Sequence, residues 1–154
     1  MRSGIPFFCE LVITILLLSG TAQGTERTVI KPRMATDING LPFSGAVLIG
    51  DTLYLSGDIG LDETGKVPDS AEAEARLVLD SIQATLREAD MNMDDLAFVQ
   101  VFCSDVSNYD AFNEVYRQYF KKEFPARAFI GAGRLLFDAR FEVQAIAVRR
   151  NPEQ

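Results

Sequence analysis

The sequence predicts an α/β fold in which two helices cover one face of a mixed sheet. Three observations predict it: runs of β-branched and aromatic residues towards both ends of the chain, a long stretch with helical apolar spacing, and a shorter stretch of the same kind. The chain has 154 residues, of which 47% are hydrophobic and 24% charged, as is usual for a globular protein. No repeat or internal linker interrupts the pattern, and we predict one domain over residues 25–154.

Residues 1–24 have the pattern of a signal peptide. Arg2 gives a positive start, residues 11–18 form an apolar run, and residues 22–24 (Ala-Gln-Gly) offer the small side chains that a signal peptidase requires. The apolar run is shorter than the roughly 20 residues that a membrane span needs. We therefore expect an exported protein, periplasmic or secreted, with no membrane segment after cleavage. Glu10, at the front of the apolar run, leaves an uncleaved anchor as the alternative.

The first elements of the predicted domain are strands joined by tight turns. Residues 26–31, 44–49 and 52–56 are predicted strands, and the Gly-Asp pair at 50–51 predicts a hairpin between the last two. Residues 62–65 (Asp-Glu-Thr-Gly) have the composition of a turn. The strand pattern ends there.

A long amphipathic helix follows, with Ser70 as its predicted N-cap. Apolar residues recur at three- and four-residue steps, and the predicted buried face consists of Ala71, Ala75, Val78, Leu79, Ile82, Leu86 and Ala89. The charged residues are assigned to the solvated face, namely Glu72, Glu74, Arg76, Asp80 and Arg87.

The second half of the domain repeats the alternation of strand and helix. A strand is predicted at about 96–104, a helix beginning near Asn108, and strands at 126–132 and 140–149. The predicted buried residues of this helix are Phe112, Val115, Tyr116, Tyr119 and Phe120. Two helices can cover one sheet face, so we expect copies of the chain to associate and cover the other.

The composition excludes several kinds of function. The chain has no His, which rules out Ser-His-Asp and Cys-His nucleophiles and the usual imidazole-ligated zinc or haem site. After cleavage Cys103 is the single thiol, and its apolar strand indicates an inert core residue. The net charge of −7 argues against a nucleic-acid surface. General acid–base chemistry must therefore use carboxylates, Tyr, Lys or a held water.

Two charged residues interrupt the last two strands. Alternation places Arg127 and Phe129 on one face of the first, and Glu142 lies in the otherwise apolar second. If the two strands pair as neighbours, Arg127 and Glu142 can face the same cleft. The simpler interpretation is a structural ion pair or a solvated sheet edge.

Five segments, in this order and spacing, resemble the RidA family, also called YjgF/UK114. The resemblance extends from Gly40 to Arg150 without a large gap. The segments are Pro42-Phe43-Ser44-Gly45-Ala46-Val47, Leu55-Ser56-Gly57-Asp58-Ile59, Phe112-Asn113-Glu114-Val115-Tyr116, Phe124-Pro125-Ala126-Arg127 and Phe141-Glu142-Val143-Gln144-Ala145-Ile146-Ala147-Val148. Each is short, and their order over nearly the whole domain makes the resemblance specific.

The resemblance implies a chorismate-mutase-like fold and a homotrimer with clefts between subunits. It also implies hydrolysis of small enamine and imine carboxylates, such as 2-aminoacrylate, to 2-oxo acids and ammonia without a cofactor or metal. Arg127 would grip the carboxylate, since a planar guanidinium donates two parallel hydrogen bonds, and Glu142 would orient the water. Substrate-binding roles fall to Phe43, Ser56, Gly57, Asn113 and the main chain of Phe129.

Several positions depart from the pattern of the family. Phe43 lacks the hydroxyl of the usual Tyr, and Phe129 is bulkier than the usual residue. Further departures are Ala128, Gly131 and Leu136. We expect a narrower and more apolar pocket.

These departures leave two other functions open. The main alternative is a non-catalytic trimer that binds small carboxylates or partner proteins. A ribonuclease, as claimed for some relatives, is poorly supported by an acidic chain without His. Because a simple carboxylate binder needs only Arg127, the presence of Glu142 as well favours an enzyme.

Overall fold

The computed structural model describes residues 26–33, 41–121 and 123–150. They form six strands and two α-helices in the order β1 Arg27–Ile30, β2 Ala46–Ile49, β3 Thr52–Ile59, α1 Ala71–Glu88, β4 Leu96–Cys103, α2 Tyr109–Tyr116, β5 Ala126–Gly131 and β6 Phe141–Val148. None of the described helices is long and apolar enough to cross a membrane. The predicted signal peptide lies outside the described residues and stays a prediction.

The six strands form one mixed sheet in the order β1-β2-β3-β6-β4-β5. All neighbours are antiparallel except β4 and β5, which are parallel. The predicted hairpin joins β2 to β3, and Gly50 there has a φ of 57°, which glycine adopts without steric cost. The possibility that the last two strands pair as neighbours is wrong, because β4 lies between β5 and β6.

Both helices pack on one face of the sheet, as predicted. Ser70 caps α1 by accepting a hydrogen bond from the Ala73 N–H at 3.1 Å. All but one of the residues predicted for the buried face of α1 are fully buried, and Ala71 is half-buried. On the sheet they meet the inward residues of the central strands, among them Leu53, Val99 and Val143. Helix-facing apolar side chains therefore form the core.

Cys103 belongs to this core, as predicted. Its side chain is buried, and its Sγ donates to the Asp105 carbonyl at 3.0 Å. Burial raises the pKa of the thiol. The neutral thiol form is therefore favoured, and a buried neutral thiol is a poor nucleophile.

The assignment of Glu74 to the solvated face of α1 is wrong. Its carboxylate is fully buried and accepts hydrogen bonds from the N–H groups of Arg140 at 2.7 Å and Phe141 at 2.9 Å. The Arg140 guanidinium adds an ion pair at 2.9 Å. Position 74 precedes Val78 by one helical turn, so the helical period places it on the buried stripe despite its charge.

The second helix is shorter than predicted. It ends at Tyr116 and continues as a 3₁₀ turn over Arg117–Tyr119. Phe112, Val115 and Tyr116 are buried as predicted, whereas Tyr119 and Phe120, beyond the helix, are half-buried. Both still pack against the core.

The other face of the sheet has no cover from any element of the described residues, and we call it the open face. It carries large apolar side chains, among which Tyr54, Phe98, Ile130 and Val148 are 36–48% exposed. Large exposed apolar surfaces often mark sites where proteins associate. Association of copies over this face stays a prediction.

Candidate functional site

Arg127 and Glu142 lie on opposite faces of the sheet. In β4, the helix-facing Val99 pairs with Arg127, whereas the open-face residue Phe102 pairs with Glu142. Side chains of paired residues point to the same side of a sheet. Within one chain the two predicted catalytic side chains therefore cannot meet in one cleft.

The Arg127 guanidinium rests among aromatic rings. Its central carbon lies 4.6 Å from the ring centre of Tyr116, 5.9 Å from that of Tyr109 and 5.8 Å from that of Phe129. Such contacts hold a cation through the quadrupole of each ring. No carboxylate of the described chain pairs with Arg127. Its positive charge is therefore fixed in place and available to an anion.

A cavity of about 230 Å³ opens beside this guanidinium. Its lining consists of Tyr109, Asn113, Tyr116, Arg117, Phe124, Pro125 and Arg127. Asn113, a predicted site residue, is buried and lines this cavity together with Arg127. We call this cavity the Arg127 half-site.

Tyr109 and Tyr116 belong to this half-site and were missed by sequence reasoning. The Tyr116 hydroxyl is buried and has no hydrogen-bond partner among the described residues. Burial raises its pKa to about 12, although the Arg127 charge opposes the rise. The two residues are two helical turns apart and therefore share the face of α2 that meets β5. That spacing is visible in the sequence, but it is equally typical of plain core packing.

A second cavity, of about 330 Å³, lies around Glu142 on the open face. Its lining consists of Phe43, Ser56, Gly57, Asp58, Ile59, Leu136, Phe137, Glu142 and Gln144. It brings together four of the predicted site residues, namely Phe43, Ser56, Gly57 and Glu142. We call this cavity the Glu142 half-site.

Gly57 makes room for the Glu142 carboxylate. The register of β3 against β6 shifts between Leu55 and Asp58, and Gly57 lies in this bulge. A Cβ atom at Gly57 would lie 2.1 Å from Oε1 of Glu142, closer than any van der Waals contact. Any side chain at position 57 would therefore displace the carboxylate from its place against β3.

Ser56 donates hydrogen bonds to two backbone carbonyls. Its Oγ donates to the Ser44 carbonyl at 2.6 Å, and its N–H donates to the Gly45 carbonyl at 3.0 Å. These bonds hold the segment that carries Phe43 against β3. The hydroxyl proton is used within the fold, so Ser56 positions the half-site in this structure.

Burial raises the pKa of Glu142, and the nearby Asp58 carboxylate raises it further. The pKa of Asp58 is itself raised by burial, against hydrogen bonds from Ser81 and from the Ile59 N–H and the charge of Arg33. A carboxylate with a raised pKa is a stronger base than an exposed one. Sequence reasoning missed Asp58, because a single acidic residue in a strand does not indicate which side chains lie near it in the fold.

Phe129 belongs to β5, which lies at the edge of the sheet. Its ring turns inward, with its centre 4.9 Å from that of Tyr109 and 5.7 Å from that of Phe112. The Ala132 N–H donates to the Cys103 carbonyl at 2.8 Å, towards β4. Because backbone groups alternate along a strand, the Phe129 N–H and carbonyl point away from β4. No described strand pairs with that edge.

Residues 26–33, 41–121 and 123–150 form no cluster of metal ligands. Within these ranges no three His, Cys, Asp or Glu side chains lie close enough together to hold a metal ion.

Comparison with known proteins gives a family match and many relatives. The family model described as endoribonuclease L-PSP matches residues 37–149. A Drosophila melanogaster protein named RutC family protein UK114 is 37% identical over 114 residues, covering 73% of this chain and 83% of its own. The human 2-iminobutanoate/2-iminopropanoate deaminase is 34% identical over 125 residues, covering 80% and 90%.

The fold also matches solved structures. Escherichia coli TdcF with bound serine superposes with a TM-score of 0.73 at 31% sequence identity. The match covers 80% of this chain and 99% of that one.

Proposed function

The chain belongs to the RidA family, whose family model is described as endoribonuclease L-PSP, and from that premise we propose that it hydrolyses small imine and enamine carboxylates. The products would be 2-oxo acids and ammonia. Relatives named 2-iminobutanoate/2-iminopropanoate deaminase and reactive intermediate deaminase, at 32–36% identity, support a deaminase. The family and the fold class predicted from the sequence are thus confirmed.

The observation that carries the proposal is the division of the predicted residues into two half-sites. Arg127 and Asn113 lie on the helix side of the sheet, and Phe43, Gly57 and Glu142 lie on the open face. A second copy of the chain can bring its Glu142 half-site against the Arg127 half-site of the first. The proposed active site is therefore a cleft between subunits of a homotrimer, and each cleft takes residues from two chains.

Arg127 would bind the substrate carboxylate. Its guanidinium has no competing carboxylate among the described residues, and its aromatic contacts hold it while leaving its N–H groups free. Two parallel N–H···O bonds would fix the plane of the carboxylate and hence the imine carbon attached to it. The outward main chain of Phe129 could then meet the imine nitrogen.

Glu142 would activate the water. Water adds to the carbon of the protonated imine, and Glu142 takes up the proton that the water loses. The same carboxyl then returns that proton to the nitrogen of the adduct. As the C–N bond breaks, the carboxylate takes the hydroxyl proton of the adduct, so that ammonia departs and a 2-oxo acid remains. A partly desolvated carboxylate with a raised pKa suits these proton transfers.

Two variants separate binding from catalysis. Arg127→Ala should abolish both 2-oxo acid binding and turnover, because either requires the guanidinium. Glu142→Gln should retain binding but slow turnover by about 10²–10⁴-fold, since an amide cannot accept the proton. Calorimetry with a 2-oxo acid and imine hydrolysis rates, with the imine generated in situ by an amino-acid oxidase, measure the two effects. Arg87→Ala and Glu72→Gln, both exposed on α1, serve as matched controls.

The same measurements distinguish the proposed enzyme from the alternative function, a non-catalytic module that binds carboxylates. Phe43 brings no hydroxyl to the Glu142 half-site, which favours a module that binds carboxylates without turning them over. Wild-type protein that binds 2-oxo acids yet never accelerates imine loss would establish the binding module. Unchanged turnover in Arg127→Ala would contradict the site proposed for both functions, because each depends on that guanidinium.

A further inference from the structure

Three large apolar side chains surround Glu142. Phe43, Leu136 and Phe137 all line the Glu142 half-site, and they are 45%, 70% and 53% exposed. Exposed apolar side chains are common singly, but three grouped around one partly buried carboxylate form a patch that a ligand or partner can cover. The cavity also has polar lining residues, including Gln144 of β6.

The backbone at Phe137 is held in a costly conformation. Its φ is 58° and its ψ 19°, in the left-handed region that bulky residues rarely adopt. Asp138 follows with a φ of 56°, and its side chain pairs with Arg134. The Ala139 N–H closes the turn on the Leu136 carbonyl at 3.1 Å. Such strain persists where the rest of the structure imposes it, and it is frequent at binding sites.

We propose that Phe43, Leu136 and Phe137 form the specificity pocket for a large apolar substituent on the substrate's imine carbon. The substrate class is then the 2-imino acids of leucine-like and phenylalanine-like amino acids, rather than 2-aminoacrylate. This inference rests on the proposed function. It names the substrates of the same site.

The geometry of the proposed reaction directs the substituent to these side chains. The imine carbon carries three groups: the carboxylate, which is bound by Arg127 of a neighbouring copy, the nitrogen, and the substituent. The carbon that the water attacks must lie beside Glu142. Because the substituent is bonded to that carbon, it must also lie close to Glu142. Four apolar side chains line the cavity, and Ile59 is already half-buried. The exposed ones that a substituent can cover are Phe43, Leu136 and Phe137.

The size of the cavity agrees with this assignment. In one chain the Glu142 half-site measures about 330 Å³, within the range of roughly 300–1,000 Å³ that is usual for small-molecule sites. A small substrate would leave the apolar side chains in contact with water. A larger apolar substituent would remove them from it.

Competition between substrates tests the inference. Imines made in situ from leucine and from alanine are compared by kcat/KM, and the leucine-derived imine should be favoured by about 10-fold or more, as apolar pockets discriminate by about that factor per methylene. Phe137→Gly should lower the ratio of kcat/KM for the leucine-derived imine to that for the alanine-derived imine by about 10-fold. Because glycine adopts a positive φ freely, the melting temperature should not fall.

The matched control is Val29→Ser, which alters an equally exposed apolar residue of β1 that does not line the cavity. An alanine-derived imine that is hydrolysed as efficiently as the leucine-derived one would overturn the inference and leave the proposed function intact. So would Phe137→Gly protein that loses both activities together with its oligomeric mass in light scattering, because Phe137 would then be an interface residue. Failure to hydrolyse either imine would instead refute the proposed function.

Discussion

Glu142 owes its proposed reactivity to two neighbours in the β3 bulge. Gly57 has no side chain, and this lets the carboxylate lie against the strand, where a Cβ atom would collide with Oε1. Asp58 brings a second negative charge that adds to the effect of burial on the pKa of Glu142. A short segment thus sets both the position and the basicity of the proposed catalytic group.

The pH dependence of turnover follows from these shifts. Glu142 works as a base in its charged form, so the rate should fall as the pH drops through a pKa above the ordinary value for glutamate. Asp58→Asn removes one of the two causes of the raised pKa. The acidic limb of kcat against pH should therefore move to lower pH, whereas Asp110→Asn, at the exposed start of α2, should leave it in place. An acidic limb that stays or moves upward in Asp58→Asn would contradict this account of the site.

Sequence reasoning at this scale found residues whose type is unusual for their place. Arg127 and Glu142 were predicted because a charge inside an apolar strand is conspicuous. Asp58 and Tyr116 were not, because their importance lies in contacts made across the fold. Glu74 was misplaced because its charge outweighed its position on the buried helical stripe.

At the scale of elements, α1 fixes the start of the strand that carries Glu142. The buried Glu74 carboxylate accepts the N–H groups of Arg140 and Phe141, which lead directly into β6. These bonds satisfy two backbone donors that the end of a buried strand would otherwise leave unpaired. The helix therefore positions the Glu142 half-site as well as covering the core.

Removal of this carboxylate should destabilise the protein strongly. Glu74→Ala leaves two backbone N–H groups and part of a guanidinium without their acceptor, and we expect a loss of about 3–5 kcal/mol in the free energy of unfolding. Glu72→Ala, on the exposed face of the same helix, should change it by less than about 0.5 kcal/mol. Denaturant unfolding of both variants measures the difference. Equal stabilities would show that Glu74 has no anchoring role.

Periodicity predicted where each element lies but could not predict how the strands pair. All six strands and both helices were expected within a few residues of their observed bounds, since burial imposes a period of two or of three to four residues. The position of β4 between β5 and β6 depends on pairing between segments that are far apart in the sequence, which the local residue pattern does not encode. For that reason the sequence suggested a shared cleft, and the structure separates the two residues.

At the scale of the whole molecule, the proposed site is incomplete in one chain. The Arg127 half-site faces the helix side of the sheet, and the Glu142 half-site belongs to the open face, whose apolar side chains have no cover among the described residues. Association that covers the open face would also complete the site. The same contact would then serve stability and catalysis, which links the predicted homotrimer to the proposed function.

Complementation between inactive subunits tests this central claim most directly. Arg127→Ala and Glu142→Gln chains are co-expressed with different tags, and only oligomers carrying both tags are purified. If each site takes Arg127 from one chain and Glu142 from the next around a ring, every mixed trimer contains one intact site among its three. We therefore expect about one third of the wild-type turnover per trimer, although each variant alone is nearly inactive. Mixed oligomers no more active than the two separate variants would show that the two residues do not act across an interface, and would contradict the account.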